Sequence, residues 1–430
     1  MELSNRGLLP LAPFAFLLIL TTTLTVFMRW GLGYPICGTD EQNYLKIFEW
    51  LDHGGVWPIS GPGYVGLILE LRHWTGWETR SLVTAAAVLN SSVVLPLGLW
   101  LLYRVHLGQA SSAWWCLPWL FASSYFLGPW LEGRPQQLGL LLAMVGAWQG
   151  YRDLQNHGRC SAGFFVLWVL CFGYHALSFV VLTTLVFGFW AVRFVQKGSG
   201  YGTLVSLLLG LAGCLALGAL WWYPLIWLDI RINHIRGLQV AEFFGALAFV
   251  GGAFLLLLYT LRRYNLGSVM IDLLRARLAS PRVHGLLAGG AVTALIWQYV
   301  WLGPLYQNVN FGDIVAYQGG NVLLATLFLS GLWRLSQESA PELTFFVESC
   351  GILMVFTGVF LALTPWLRDQ NFPLRILNYW TWYAAPLAAW GWRGLPQPWR
   401  WGLLILVPLL LAGGLHHVLL APTWICVMGN

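Results

Sequence analysis

Long apolar runs alternate with short polar turns along nearly the whole chain. The runs fall at 8–28, 82–103, 112–128, 136–150, 162–174, 176–194, 203–226, 242–261, 285–305, 320–334, 344–366, 376–392 and 401–420. About 20 apolar residues suffice to span a bilayer as a helix, and several runs reach that length. Runs 162–174 and 176–194 meet at Gly173-Tyr174-His175 and read either as two spans or as one long, bent span. Residues 29–81, between the first two runs, break the pattern. From Asp40 to Leu51, Tyr44, Ile47, Phe48 and Leu51 recur at helical spacing, with Glu41, Lys46, Glu49 and Asp52 mainly elsewhere around the helix. This predicts an amphipathic helix lying on a membrane surface. A breaker stretch from Gly54 to Gly63 follows, and then a second half-apolar helix from Tyr64 to Trp74.

Composition agrees with the pattern. Of 430 residues, 58% are hydrophobic and 9% charged, with mean hydropathy +0.66, whereas soluble domains carry roughly 25% charged residues. The expectation is an all-α, polytopic integral membrane protein with about 11–13 transmembrane helices, forming a single integral domain over 1–430. Residues 1–200 read as one module that includes the loop 29–81, and residues 201–430 as a more variable set of spans. The run Leu8–Val26 lacks an Ala-x-Ala-like end and reads as a retained span. With the N-terminus inside, the turns holding Arg104, Arg152, Arg193 and the basic segment Arg262 to Arg282 face the cytoplasm. The loop 29–81 then faces the outer compartment. The net charge of +6 reflects this topology and contact with anionic headgroups, and is no sign of nucleic acid. The seven cysteines lack metal-ligand spacing; Cys37 and Cys426 share the outer side, where a disulfide is permitted.

The candidate chemistry gathers on that outer side. Asp40-Glu41 follows the first span almost at once, where a carboxylate can serve as general base or simply cap a helix. Glu132-Gly133-Arg134-Pro135 lies in an outer turn, and the planar fork of Arg134 suits a lipid-linked phosphate as well as an ion pair with Glu132. Tyr174-His175 stands where two spans meet; His175 can bind an anion, donate to a leaving group, or be solvated or bonded to backbone. Arg368 and Arg375 come from the last substantial outer loop, and Asp313 from a turn in Asn308 to Asp313. No Walker A loop, His-x-x-x-Asp cluster or Gly-x-Ser-x-Gly elbow is present in the sequence.

Asp40-Glu41-Gln42-Asn43-Tyr44 after a first span resembles the Asp-Glu-x-x-Tyr motif of the GT-C glycosyltransferases, in the branch of the lipid A aminoarabinose transferase and the protein O-mannosyltransferases. Gly55-Val56-Trp57-Pro58 and Gly61-Pro62-Gly63-Tyr64 are similar to the family's break and Pro-x-Tyr segment. Glu132 to Pro135 is similar to its acidic-x-Arg segment, and Phe372-Pro373-Leu374-Arg375 with Ala385-Pro386-Leu387 to its Phe-Pro-Arg-Tyr pattern with a downstream proline. The likeness covers residues 1–200 and a patch near 366–390. Two departures stand out: Tyr174-His175 occupies the region where the aminoarabinose branch often has a lysine, and Gly61-Pro62-Gly63 replaces the usual Lys-Pro-Pro.

The resemblance implies an inverting transferase that takes a sugar from a polyprenyl-phosphate donor and passes it to a glycan, lipid or protein acceptor, within a lipid bilayer. Asp40 and Glu41 are then catalytic, Arg134, His175 and Arg375 hold the donor phosphate, and Tyr44, Tyr64, Asp313 and Arg368 contact substrate. No bound metal is required if arginines hold the phosphate, although some relatives use a divalent ion. The expected location is the bacterial plasma membrane with an extracytoplasmic site. Other classes compatible with the pattern are a transporter or flippase of lipid-linked saccharides, a polysaccharide polymerase or ligase, and a non-catalytic partner in envelope assembly.

Overall fold

The computed structural model describes residues 39–55, 62–107, 115–123, 136–197, 200–229, 255–264, 311–363 and 372–420, with isolated positions between them. For 39–43, 197, 218–229, 311–317, 360–363, 372–375 and 413–420 the description is of backbone alone. The order is α1 (Thr39–Asp52), α2 (Pro62–Thr75), α3 (Thr79–Leu107), α4 (Leu117–Ala122), α5 (Gln136–Asn156), α6 (Ala162–Tyr174), α7 (Ala176–Lys197), α8 (Tyr201–Asp229), α9 (Phe311–Gln337), α10 (Thr344–Leu363), α11 (Phe372–Gly394) and α12 (Gln397–Leu420). No strand occurs among the described residues. Three helical stretches among them are long and apolar enough to cross a membrane: Thr79–Leu107, Ala176–Gln196 and Pro341–Val359. The described residues are thus all-α, as expected of a membrane protein.

The two amphipathic helices form where the periodicity predicts them. Tyr44 and Phe48 of α1 and Tyr64, Val65 and Ile68 of α2 are buried together against Leu82 and Val83 of α3. Asp52 and Arg72 close the far end of this pair with two bonds of 2.6 and 2.8 Å.

Helix α3 is not uniform. Residues Asn90–Val94 form a π turn in which Asn90, Ser91 and Ser92 are buried. The Ser91 and Ser92 hydroxyls donate to the Ala87 and Val88 carbonyls, and Thr21 donates to the Ser92 carbonyl at 3.2 Å. Hydroxyls thus reach the carbonyls in a layer where water is scarce.

A second backbone irregularity is met in a similar way. Pro386 lies inside α11 and has no N–H to offer the Trp382 carbonyl one turn earlier. The Tyr103 hydroxyl donates to that carbonyl instead, at 2.7 Å, from a fully buried side chain of α3. A single contact therefore ties a span of the first quarter of the chain to one of the last. Helices α9 and α11 approach to backbone contact, because a β-carbon on Gly331 or Gly391 would run into the Leu387 or Leu327 carbonyl.

Runs 162–174 and 176–194 are two helices, which excludes the single bent span. The Trp168 indole donates to Thr183 Oγ1 at 2.8 Å and stacks on Phe179 at 5.8 Å. Such contacts require α6 and α7 to fold back on each other. Two further expectations are corrected. Asp313 and Arg375, read as loop residues, belong to the first turns of α9 and α11. The physical reason is that helices extend past the apolar core of a span when their first turn suits the N-terminal dipole, as Asp313 does, or contains an early proline, as at Pro373.

Candidate functional site

Helix α6 ends at Tyr174 and α7 begins at Ala176, leaving His175 alone as the joint. Its backbone is extended, with φ −155° and ψ 114°. Helix α6 rises only about 20 Å, less than the roughly 30 Å hydrocarbon layer. The start of α2 covers the joint: a β-carbon on Gly63 would sit 3.0 Å from the Gly173 carbonyl oxygen. Gly61-Pro62-Gly63-Tyr64, in place of a bulkier sequence, is what lets α2 approach so closely.

The imidazole of His175 is 8% exposed. Its Nδ1 accepts from the Ser178 backbone N–H at 3.2 Å and lies 2.8 Å from Ser178 Oγ. Ser178 Oγ in turn lies 2.7 Å from the Tyr379 hydroxyl on α11. His175 thus occupies the N-cap of α7 and accepts from the third helical residue, as a capping serine or aspartate does. Because an N–H points at Nδ1, the neutral ring carries its proton on Nε2. The ring is neither solvated nor bonded only to backbone, and sequence reasoning missed both of its side-chain partners. Ser178 stands three residues on, the spacing of a capping pair, and that was the available signal. Tyr379 stands one helical turn beyond Arg375.

Helix α5 meets the same joint through its first turn. A β-carbon on Gly139 would lie 2.6 Å from Ser178 Oγ and 2.7 Å from His175 Cβ, so only glycine permits this approach. Gly139 is four residues past Pro135, and the buried Gln136 and Gln137 begin the helix.

Tyrosines line the side toward the amphipathic helices. Tyr44 meets Tyr64 edge-on at 5.3 Å, and Tyr64 meets Tyr174 edge-on at 6.3 Å. Tyr44 and Tyr64 are 7% and 1% exposed, so their described contacts are packing between helices. Asp40 and Glu41 lie in the first turn of α1, about one turn before Tyr44, with side chains outside the described residues. The side chains of Arg375 and Asp313 also lie outside them, as do Arg134, Arg368, Cys37 and Cys426 entirely.

The structure thus brings Tyr44, Tyr64 and His175 to one end of the bundle, together with the backbone of the Asp40-Glu41 and Arg375 segments. Beyond this joint, Asp52 is held below its ordinary carboxylate value by the Arg72 guanidinium bonded to it, which is itself pushed up by the same bond. No three His, Cys, Asp or Glu side chains converge among the described residues, and His175 is engaged by Ser178 and Tyr379, so those residues do not compose a metal centre. Comparison of the chain with family models, with curated proteins and with solved structures found no match.

Proposed function

We propose that this protein is a polytopic membrane glycosyltransferase of the GT-C kind. It takes a sugar from a polyprenyl-phosphate donor and works on the extracytoplasmic face. The observation that supports the reading best is a convergence. Segments carrying four separate sequence motifs (Tyr44 after Asp40-Glu41, Gly63-Tyr64, Tyr174-His175 and Tyr379 after Arg375) meet at one joint covered by two amphipathic helices. Gly139, which follows the Glu132 to Pro135 segment, touches the same joint. Nothing in a merely structural bundle asks these motifs to be neighbours.

In this reading Asp40 takes the proton of an acceptor hydroxyl, with Glu41 orienting it. The acceptor oxygen forms its bond to the anomeric carbon as the bond from that carbon to the phosphate oxygen breaks on the opposite face. The electron pair leaves with the prenyl phosphate, and Arg134 and Arg375 meet the charge that develops. His175 contributes a neutral Nε2–H donor, held in that tautomer by Ser178. Asp313 and Arg368 border the substrate, and Tyr64 supports the joint by packing between Tyr44 and Tyr174. The acceptor is a glycan, a lipid or a protein, and a divalent ion is admitted but carries no step here.

The test is twofold. A strain lacking the protein should accumulate one prenyl-phosphate-linked sugar, detectable by mass spectrometry of its lipids. Purified Asp40→Asn protein should transfer that sugar about 10²- to 10⁴-fold more slowly than the wild type, the range of a general base. A normally expressed Asp40→Asn protein with undiminished transfer rules out the catalytic assignment. Lipid-linked sugar that crosses the membrane without being transferred by the purified protein points to a flippase instead.

A further inference from the structure

A second set of polar side chains lies between the end of α4 and α9, and the mechanism above does not use it. Helix α4 stops at Ala122, and Ser123 is extended, with φ −84° and ψ 123°. This break falls inside the run 112–128, and Ser123 is fully buried. Irregular backbone at such depth is tolerated where protein or a polar cavity surrounds it. Helix α9 lies directly against the break, since a β-carbon on Gly320 would collide with the Ala122 carbonyl.

From there a directional chain of hydrogen bonds runs along α9. The Ser123 hydroxyl donates to Asn321 Oδ1 at 2.6 Å, and Asn321 Nδ2 donates to Gln318 Oε1 at 2.7 Å. Gln318 is 5% exposed, and its amide nitrogen makes no further hydrogen bond among the described residues.

The level of that nitrogen in the bundle follows from helix register. Helices α9 and α11 run parallel: Phe328 meets Trp380, Gly331 meets Leu387 and Gly391, and Arg334 meets Trp390. Carried back along both helices, this register brings Gln318 and Asn321 to the stretch from Arg375 to Thr381. Tyr379, the partner of Ser178, belongs to that stretch.

We propose that Gln318 is a specificity-determining residue that donates to an oxygen of the transferred sugar, with Asn321 and Ser123 fixing the orientation of its amide. The proposal rests on the glycosyltransferase reading. A primary amide is neutral and suits a hydroxyl or carbonyl oxygen, whereas the phosphate belongs to the arginine one level away. The direction of the chain also matters. Ser123 gives its proton to Asn321, so the open end at Gln318 offers hydrogens and selects a ligand atom that accepts them.

The probes are farnesyl-phosphate-linked sugars: gluco-, manno-, galacto- and arabino-configured donors, with singly deoxygenated analogues of whichever the wild type uses best. Gln318→Met has similar length and no donor. It should lower kcat/KM about 10- to 100-fold for the preferred donor, while the analogue lacking the oxygen it reads is used equally by both proteins. Gln318→Asn, which is shorter by one methylene and keeps the polarity, should reorder the donor preference about tenfold. Binding of farnesyl phosphate alone should be unchanged in both variants. An equal loss for all donors and analogues, or no change in ranking with either variant, overturns the proposal while leaving the transferase reading intact. A wild-type protein that neither binds nor turns over any of these donors overturns both.

Discussion

The two ends of this bundle are built from the same helices but handle polar groups differently. At the Arg193 end, two described arginines are matched to carboxylates. The Arg193 guanidinium lies 3.1 Å from both oxygens of Glu348, donates to Gln196 at 2.9 Å and sits over the Tyr151 ring at 5.4 Å. Arg334 pairs with Glu338 at 2.8 Å and covers Trp390 at 4.2 Å. At the His175 end the described contacts are neutral: an imidazole, a serine, a tyrosine hydroxyl and three edge-on tyrosines. Ion pairs satisfied by one another hold helices and topology, and they offer little to a ligand. A neutral brace holds a helix break in place without spending the charges that lie in the neighbouring motif segments.

The contrast can be broken first at the charged end. Glu348→Ala leaves Arg193, whose side chain is 9% exposed, without its carboxylate. The expected loss is about 3–5 kcal/mol, read as a large fall in the melting temperature of the detergent-solubilised protein. At the neutral end, Gly139→Ala drives a methyl into Ser178 Oγ and His175 Cβ and should cost about 1–3 kcal/mol. Adding Ser178→Ala should recover part of that loss, and a strictly additive double variant contradicts the contact.

His175→Ala removes the cap of α7 and should cost about 1–2 kcal/mol. Tyr379→Phe should cost about 1 kcal/mol, and transfer should fall more than stability does.

The smallest effect belongs to the Asp52–Arg72 pair, whose side chains are 46% and 32% exposed. Because Asp52 is depressed in the folded protein, its contribution is complete above the unfolded carboxylate value near pH 4 and fades as pH falls through the folded one. Solvent screening limits it to under about 1 kcal/mol. Arg72→Gln should therefore lower stability slightly at neutral pH, by less than about 1 kcal/mol, and flatten the acid side of a stability-against-pH curve so that the two proteins converge at low pH.

Local periodicity made parts of this architecture legible. The helix over Tyr44, Ile47, Phe48 and Leu51 forms as α1 because its spacing alone defines a face. His175 was visible as a polar break between apolar runs. Its partners were not, because Ser178 and Tyr379 read as incidental residues within those runs. Their bond spans a separation of 201 residues. Hydropathy also cut Asp313 and Arg375 away from their helices, since it registers the apolar middle of a span and not the polar first turn. Gln318 and Asn321 escaped notice for a related reason: two amides at the head of a long apolar run look like its edge.

The π turn at Asn90–Val94 has a mechanical consequence. Above it, Leu82 and Val83 face the surface helices; below it, Leu99 and Tyr103 join the main core. One residue of an α-helix corresponds to about 100° of rotation, so the wider turn acts as a phase shifter that lets one span serve two differently oriented neighbours. Deleting a single residue there would let the span close up as a regular α-helix with both halves still in step, whereas inserting one would turn the half that meets the surface helices by about 100° away from the half in the main core.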